Sequence, residues 1–233
     1  MTPSPLHPDC LPARRRFVVG ITGASGAGYA LRLLELLLGS GCEVHLVVTE
    51  YGRRLLADEA GVRALDLANL LPHTVSDAPP PLGVRPWAEG AVRWDAAEVE
   101  RRLIVHPNKD VGAVIASGGF LHDGMVVVPC TSTSLGAMAT GSGSNLLCRA
   151  AMVTLKERRR LVVCHRESPL SLIDIENMRT LALAGAIVCP TNPGFYLLPE
   201  SIEDLVDFMV GKVLDLLGVE HGLETRWGGA LEH

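Results

Sequence analysis

The sequence predicts an α/β protein with a three-layer, Rossmann-like (flavodoxin-like) parallel sheet and helices on both faces. Three observations predict it. Short β-branched runs that are apolar throughout, such as "FVVGIT" (17–22), "EVHLVV" (43–48) and "MVVVP" (125–129), recur along the chain. Segments with helical spacing of apolar residues lie between them, and loops rich in glycine or hydroxyl residues follow them. A strand with no polar side must be covered on both faces, and strands separated by helices pair in parallel.

The elements follow in chain order. "FVVGIT" is the first strand, "YALRLLELLL" (29–38) a helix, "EVHLVV" the second strand, and a helix starts near Thr49. Residues 71–95, with five prolines, two tryptophans and no period, read as a long surface excursion. "MVVVP" then forms a strand and a single long helix is expected over 134–159. "LVVC" (161–164) and "AIVC" (186–189) are strands around a helix over 171–184, and "SIEDLVDFMVGKVLDLLGV" is a C-terminal helix with Ser201 as N-cap. The expected organisation is a disordered tail over 1–15, one domain over 16–220, and a C-terminal tail over 221–233 that ends in "LEH", like the start of a histidine tag.

Composition narrows the function. A chain of 233 residues with 48% hydrophobic content can bury one sizeable core. The net charge of −5, spread over short blocks, gives no basic footprint for nucleic acid, and no apolar run is long enough to span a membrane. The six cysteines show no C-x-x-C pair and no zinc spacing, and read as reduced thiols of a cytoplasmic protein with no metal site.

In an open α/β sheet, ligands sit beyond the carboxyl ends of the strands. After the first strand comes "TGASGAG", whose glycines permit close backbone approach and whose helix N-terminus offers N–H groups to a phosphate. It is one residue short of the dehydrogenase pattern T-G-x-x-x-G-x-G. No tyrosine has a lysine four residues later, and no G-K-[ST] closes a phosphate loop. After "MVVVP" come four hydroxyl residues, Thr131, Ser132, Thr133 and Ser134, where helix capping needs only one. "HRESP" places Arg166 and Glu167 at the next strand end, and "PTNPGFY" offers Tyr196 as a phosphate donor. Arg149 and Lys156, seven residues apart, share one helix face.

Taken together, "TGASGA" (22–27), "VVPC" with its hydroxyl loop (127–134), "NLLCRAAMVTLKERRRLVV" (145–163), "RESPLSLIDIENM" (166–178), "GAIVCPTNPGFY" (185–196) and "SIEDLVDFMVGKVLDLLG" (201–218) resemble the UbiX-like flavin prenyltransferases. The match is nearly continuous from Met125 to Gly218 and weak over 50–124. The resemblance implies that Gly23, Ala24, Ser25, Thr49, Thr131 to Ser134 and Arg166 hold FMN. It implies that Tyr196, Lys212, Arg149 and Lys156 bind the phosphate of dimethylallyl phosphate, with Trp227 as a retained aromatic of the prenyl site. Glu167 takes the acid/base position, and Lys156 and Ser25 face the reacting phosphate. The implied product is prenylated FMN for a UbiD-type decarboxylase. The implied assembly is a homo-oligomer, a dodecamer among the options, with sites at subunit interfaces.

One departure stands out. Val111 occupies a position where the family often has tryptophan, and Trp87 or Trp94 are candidates to compensate from the loop. Two other readings remain at this point: an FMN-dependent cysteine decarboxylase of the same superfamily, and a non-catalytic flavin carrier. The stretches "PCTSTS" and "PTNPGFY" differ from the decarboxylase motifs "PASANT" and "P-x-M-N", and a carrier does not need Glu167, Lys156, Tyr196 and Lys212 together.

Overall fold

The structure is a computed structural model that describes residues 14–87 and 93–225. The N-terminal segment up to residue 13, the last part of the C-terminal tail and Trp227 therefore lie outside the described residues. Six parallel strands form one sheet: β1 (Arg16–Ile21), β2 (Glu43–Val48), β3 (Leu103–Pro107), β4 (Gly124–Cys130), β5 (Leu161–His165) and β6 (Ile187–Val188), in the order β3-β2-β1-β4-β5-β6. This is the doubly wound order, and the strand order reverses between β1 and β4, which opens a crevice there.

Each strand alternates its side chains between two cores. Phe17, Val19, Ile21, Leu46, Val126 and Cys164 face one side, packed under α1 (Ala27–Gly39) and α8 (Ile202–Leu217). Val18, Val47, Met125, Val127 and Val163 face the other, under α5 (Ser132–Ala139), α6 (Leu146–Lys156) and α7 (Leu172–Ala184). Burial on both faces is why these strands carry no polar side. Between β2 and β3 lie α2 (Glu50–Ala60), the short α3 (Leu67–Leu70) and α4 (Ala96–Glu100).

Four expectations change. The single helix over 134–159 is two helices, α5 and α6. Thr140 caps α5, Gly141 turns the chain at φ +75°, and Asn145 caps α6 by accepting from Cys148 N–H at 3.0 Å. The strand β3 was not anticipated, because "LIVHP" is a five-residue edge strand that follows two arginines.

Nor are residues 71–87 of the expected 71–95 segment a surface excursion: they strap α1 and α8, with Leu71, His73, Thr74 and Val84 buried. It is drawn in by a buried carboxylate, Glu35 of α1, which accepts from Trp87 Nε1 at 2.6 Å and meets His73 Nε2 at 3.1 Å. Glu35 also pairs with Arg32, and Arg85 of the strap shares Asp207 of α8 with Arg32. Each buried charge is thereby matched, as an apolar interior requires. Arg15, placed in the tail by the sequence reading, is instead tied down, donating to the carbonyls of Leu217 and Gly218 at the end of α8.

Candidate active site

The loops at the carboxyl ends of β1, β2, β4 and β5 meet at the crevice between β1 and β4. Thr22 ties the first to the third: its hydroxyl donates to the Pro129 carbonyl and accepts from Thr131 N–H, both at 2.8 Å. Arg166 N–H donates to the Cys130 carbonyl at 3.1 Å and joins the fourth. The β1 and β2 loops touch backbone to backbone. A Cβ on Gly23 would lie 2.5 Å from Tyr51 Cβ, and one on Gly52 would lie 2.6 Å from the Ile21 carbonyl. Only glycine allows that approach. Thr49 caps α2 at this junction by accepting from Gly52 N–H at 3.0 Å. Gly23, Ala24, Ser25, Thr49, Thr131 to Ser134, Arg166 and Glu167 are thus assembled at one edge of the sheet.

The N–H groups expected to be free at the start of α1 are not free. Glu59, near the end of α2, accepts from Gly26 N–H at 3.0 Å and Ala27 N–H at 2.9 Å with one carboxylate oxygen. It also holds the Ser25 side chain. Burial pushes the Glu59 carboxyl up, but the bonds from Ser25, Ala27 and Gly26, with Arg166 nearby, outweigh it and keep the carboxyl below its ordinary value. A carboxylate at this helix N-terminus demonstrates that the position selects an anion. The sequence reading missed Glu59. The available signal was its place on the stripe Gly52, Leu55, Leu56, Glu59, an i, i+3, i+4, i+7 pattern that puts a carboxylate on the inward face of α2.

The four hydroxyls after β4 divide their work. Thr131 caps α5, accepting from Ser134 N–H and donating to Ser134 Oγ, both at 3.2 Å. Ser132 bonds Asp174 of α7, and Thr133 is exposed toward solvent. Asp174 is held down to about 2 by the hydroxyl of Ser171, then by Ser132 and the Ser171 backbone. The buried His165 stands between these groups, with Nδ1 donating to the Cys130 carbonyl at 2.9 Å and Nε2 3.9 Å from Asp174. Arg166 and Glu167 are both exposed, and Glu167 Oε1 accepts from Ser168 N–H at 3.0 Å.

Arg149 and Lys156 line a second feature, an open cleft of about 600 Å³ along α6 with Val111, Ala113, Ser117 and Met152. They share a face as their spacing predicted. Lys156 Nζ pairs with Glu157 at 2.6 Å. Tyr196 and Lys212 do not line this cleft. Tyr196 is half exposed and packs edge-on against Phe208, with ring centroids 5.5 Å apart, while Lys212 is exposed on α8. The tryptophans proposed to compensate for Val111 do not do so. Trp87 and Trp94 pack on each other 5.5 Å apart, and Trp94 lies against the α1 side of the sheet, the face opposite α6.

The donor set fits a flavin mononucleotide: hydroxyls and an arginine around a crevice, with close backbone approach at two glycines. Comparison with known proteins agrees. A profile of the Flavoprotein family matches residues 7–214. The flavin prenyltransferase UbiX of Halalkalibacterium halodurans is 41% identical, covering 91% of this chain and 93% of its own length. The crystal structure of AnUbiX in complex with FMN and dimethylallyl pyrophosphate superposes with a TM-score of 0.73 at 35% identity, covering 94% of this chain and 100% of that one. A dodecameric FMN-dependent UbiX-like decarboxylase from Escherichia coli superposes with a TM-score of 0.72 at 33% identity, covering 92% of this chain and 100% of its own. The chain belongs to the Flavoprotein family and, within it, to the UbiX-type flavin prenyltransferases.

Proposed function

We propose that this enzyme transfers a dimethylallyl group from dimethylallyl phosphate to reduced FMN and delivers prenylated FMN to a UbiD-type decarboxylase in the cytoplasm. The observation that carries the reading is the crevice between β1 and β4, where Ser25, Glu59 and Arg166 converge with the hydroxyl loop. Reduced FMN, when bound, supplies the N5 and C6 atoms that receive the prenyl group as a fourth ring closes.

The residues do the rest. Gly23, Ala24, Thr49, Thr131 to Ser134 and Arg166 hold the flavin. Cleavage of the allylic C–O bond moves negative charge onto phosphate, and fixed cationic and hydroxyl donors stabilise it without reorganising. Arg149 and Lys156 supply two of those donors along α6, and Ser25 a third. Glu59 holds the Ser25 hydroxyl in place beside the departing phosphate. Glu167 accepts the proton leaving C6. Val111 offers no aromatic face to a developing allyl cation, which lowers the rate by the equivalent of about 0.5–2 kcal/mol relative to a tryptophan there.

Tyr196 and Lys212 complete the phosphate site, Lys212 from a neighbouring copy, in a homo-oligomer for which the dodecameric relative is the template. The exposed apolar residues Leu172, Ile173, Phe195 and Leu198 support that assembly. Among the described residues no helix is long and apolar enough to cross a membrane.

Anaerobic incubation with reduced FMN and dimethylallyl phosphate, followed by mass analysis of the flavin, is the test. A flavin heavier by one prenyl group is expected. An unchanged mass with both monophosphate and diphosphate donors defeats the reading, and flavin binding without that change identifies a carrier. Glu167→Gln lowers turnover while leaving FMN affinity intact, and full activity in that variant removes Glu167 from the mechanism.

A further inference from the structure

Two cysteines outside the strand-end loops form a pair. Val163 of β5 is in register with Val188 of β6. The next residues, Cys164 and Cys189, therefore stand opposite each other, with Cys189 N–H donating to the Val163 carbonyl at 2.9 Å. Neighbouring strands lie about 4.8 Å apart, inside the Cα window of roughly 4.4–6.8 Å that a disulfide spans. Both side chains point to the α1 and α8 face, Cys164 fully buried and Cys189 half-buried at the margin. The two thiols are hydrogen bonded to each other. That bond is the largest influence on Cys189 and, with Lys212 nearby and against the effect of burial, brings its thiol down to about 7. The same bond and burial push Cys164 up. Cys130, Cys148 and Cys42 are buried and pushed up by that burial, and are inert by comparison.

We propose that Cys189 and Cys164 are a redox-active dithiol that reacts with small-molecule disulfides, Cys189 attacking and Cys164 resolving. The Cys189 thiolate attacks one sulfur of the oxidant, forms a mixed disulfide and expels the first thiolate. Cys164 loses its proton and attacks Cys189 Sγ, closing the protein disulfide and expelling the second. The protein loses two protons and two electrons, and the oxidant becomes two thiols. The chain leaving Cys189 runs directly to Tyr196, and oxidation removes the thiolate charge beside Lys212, so the lysine's positive charge is left to the prenyl phosphate and its capture strengthens. This consequence, unlike the dithiol itself, rests on the proposed roles of Tyr196 and Lys212.

The experiment incubates the full-length protein with oxidised glutathione and reads intact and peptide masses. The expected product has lost two hydrogens, with Cys164 linked to Cys189. Cys164→Ala, or Cys164→Val should the first variant fold poorly, stops with one glutathionyl group on Cys189, and Cys189→Ser forms neither product. A mixed disulfide that persists on the unaltered protein, a bridge between other cysteines, or no reaction overturns the proposal. Oxidised protein is then expected to show a lowered KM for dimethylallyl phosphate with FMN affinity kept. An unchanged KM overturns the coupling to Lys212, whereas absent prenyl transfer in both redox forms counts against the proposed function and leaves the mass result standing.

Discussion

Helices α7 and α8 use the same local rules and meet opposite fates. Each starts with a serine N-cap in a reciprocal capping box with aspartate, Ser171 with Asp174 and Ser201 with Asp204, and each ends on a left-handed glycine, Gly185 or Gly218. Yet α8 buries Val206, Met209, Val210, Val213, Leu214 and Leu217, while α7 buries only Asp174 and Leu181. Leu172, Ile173 and Leu183 of α7 are each more than 70% exposed. Caps decide where a helix begins and ends, but they do not decide what covers it. The apolar surface of α8 is satisfied within its own chain, and that of α7 stays exposed.

The largest effect expected from breaking this contrast is in the core. Leu214→Ala in α8 should cost about 2–5 kcal/mol by removing a fully packed side chain, read as a lower midpoint in denaturant unfolding. In α7 the corresponding change should act on assembly rather than folding. Ile173→Asp is expected to keep the helical circular dichroism and to lose up to about 3 kcal/mol of association free energy per buried side chain. Sedimentation then shows smaller species, and an unchanged assembly would mean that another surface carries it.

The caps should behave alike in both helices. Ser171→Ala and Ser201→Ala each remove one capping oxygen, worth about 1 kcal/mol, and unequal losses would show that tertiary contacts and not the cap set helix stability.

The smallest effect is confined to acid. Ser171, then Ser132, holds the Asp174 carboxyl at about 2, below its unfolded value. Its contribution to stability is therefore complete above the unfolded value of about 3.9 and disappears as pH falls through the folded one. Asp174→Asn should flatten the stability profile between about pH 4 and pH 2. A profile that keeps its slope in that window assigns the acid limb to other carboxylates.

The same division runs through the whole molecule. The alternation of apolar runs and helical patterns revealed the layers, and a hydroxyl residue before the last helix marked the cap at Ser201. The strand-end loops named the residues that meet at the crevice. Less legible were the break at Gly141, visible as "TGSGSN" but overridden by the apolar period on either side, and β3, too short and too mixed to stand out.

Periodicity and capping act over a few neighbouring residues, so the chain alone carries the fold class, the limits of α7 and α8 and the set of polar loops. Only the tertiary structure decided which anion sits at the start of α1, since Glu59 lies more than thirty residues from Gly26 and arrives there because α2 packs its inward face on the β1 loop. It also decided that Ser132 serves Asp174, that the strap is held by Glu35, and that Cys164 faces Cys189. These are long-range pairings, fixed by strand order and helix packing, and no local pattern in the chain encodes them.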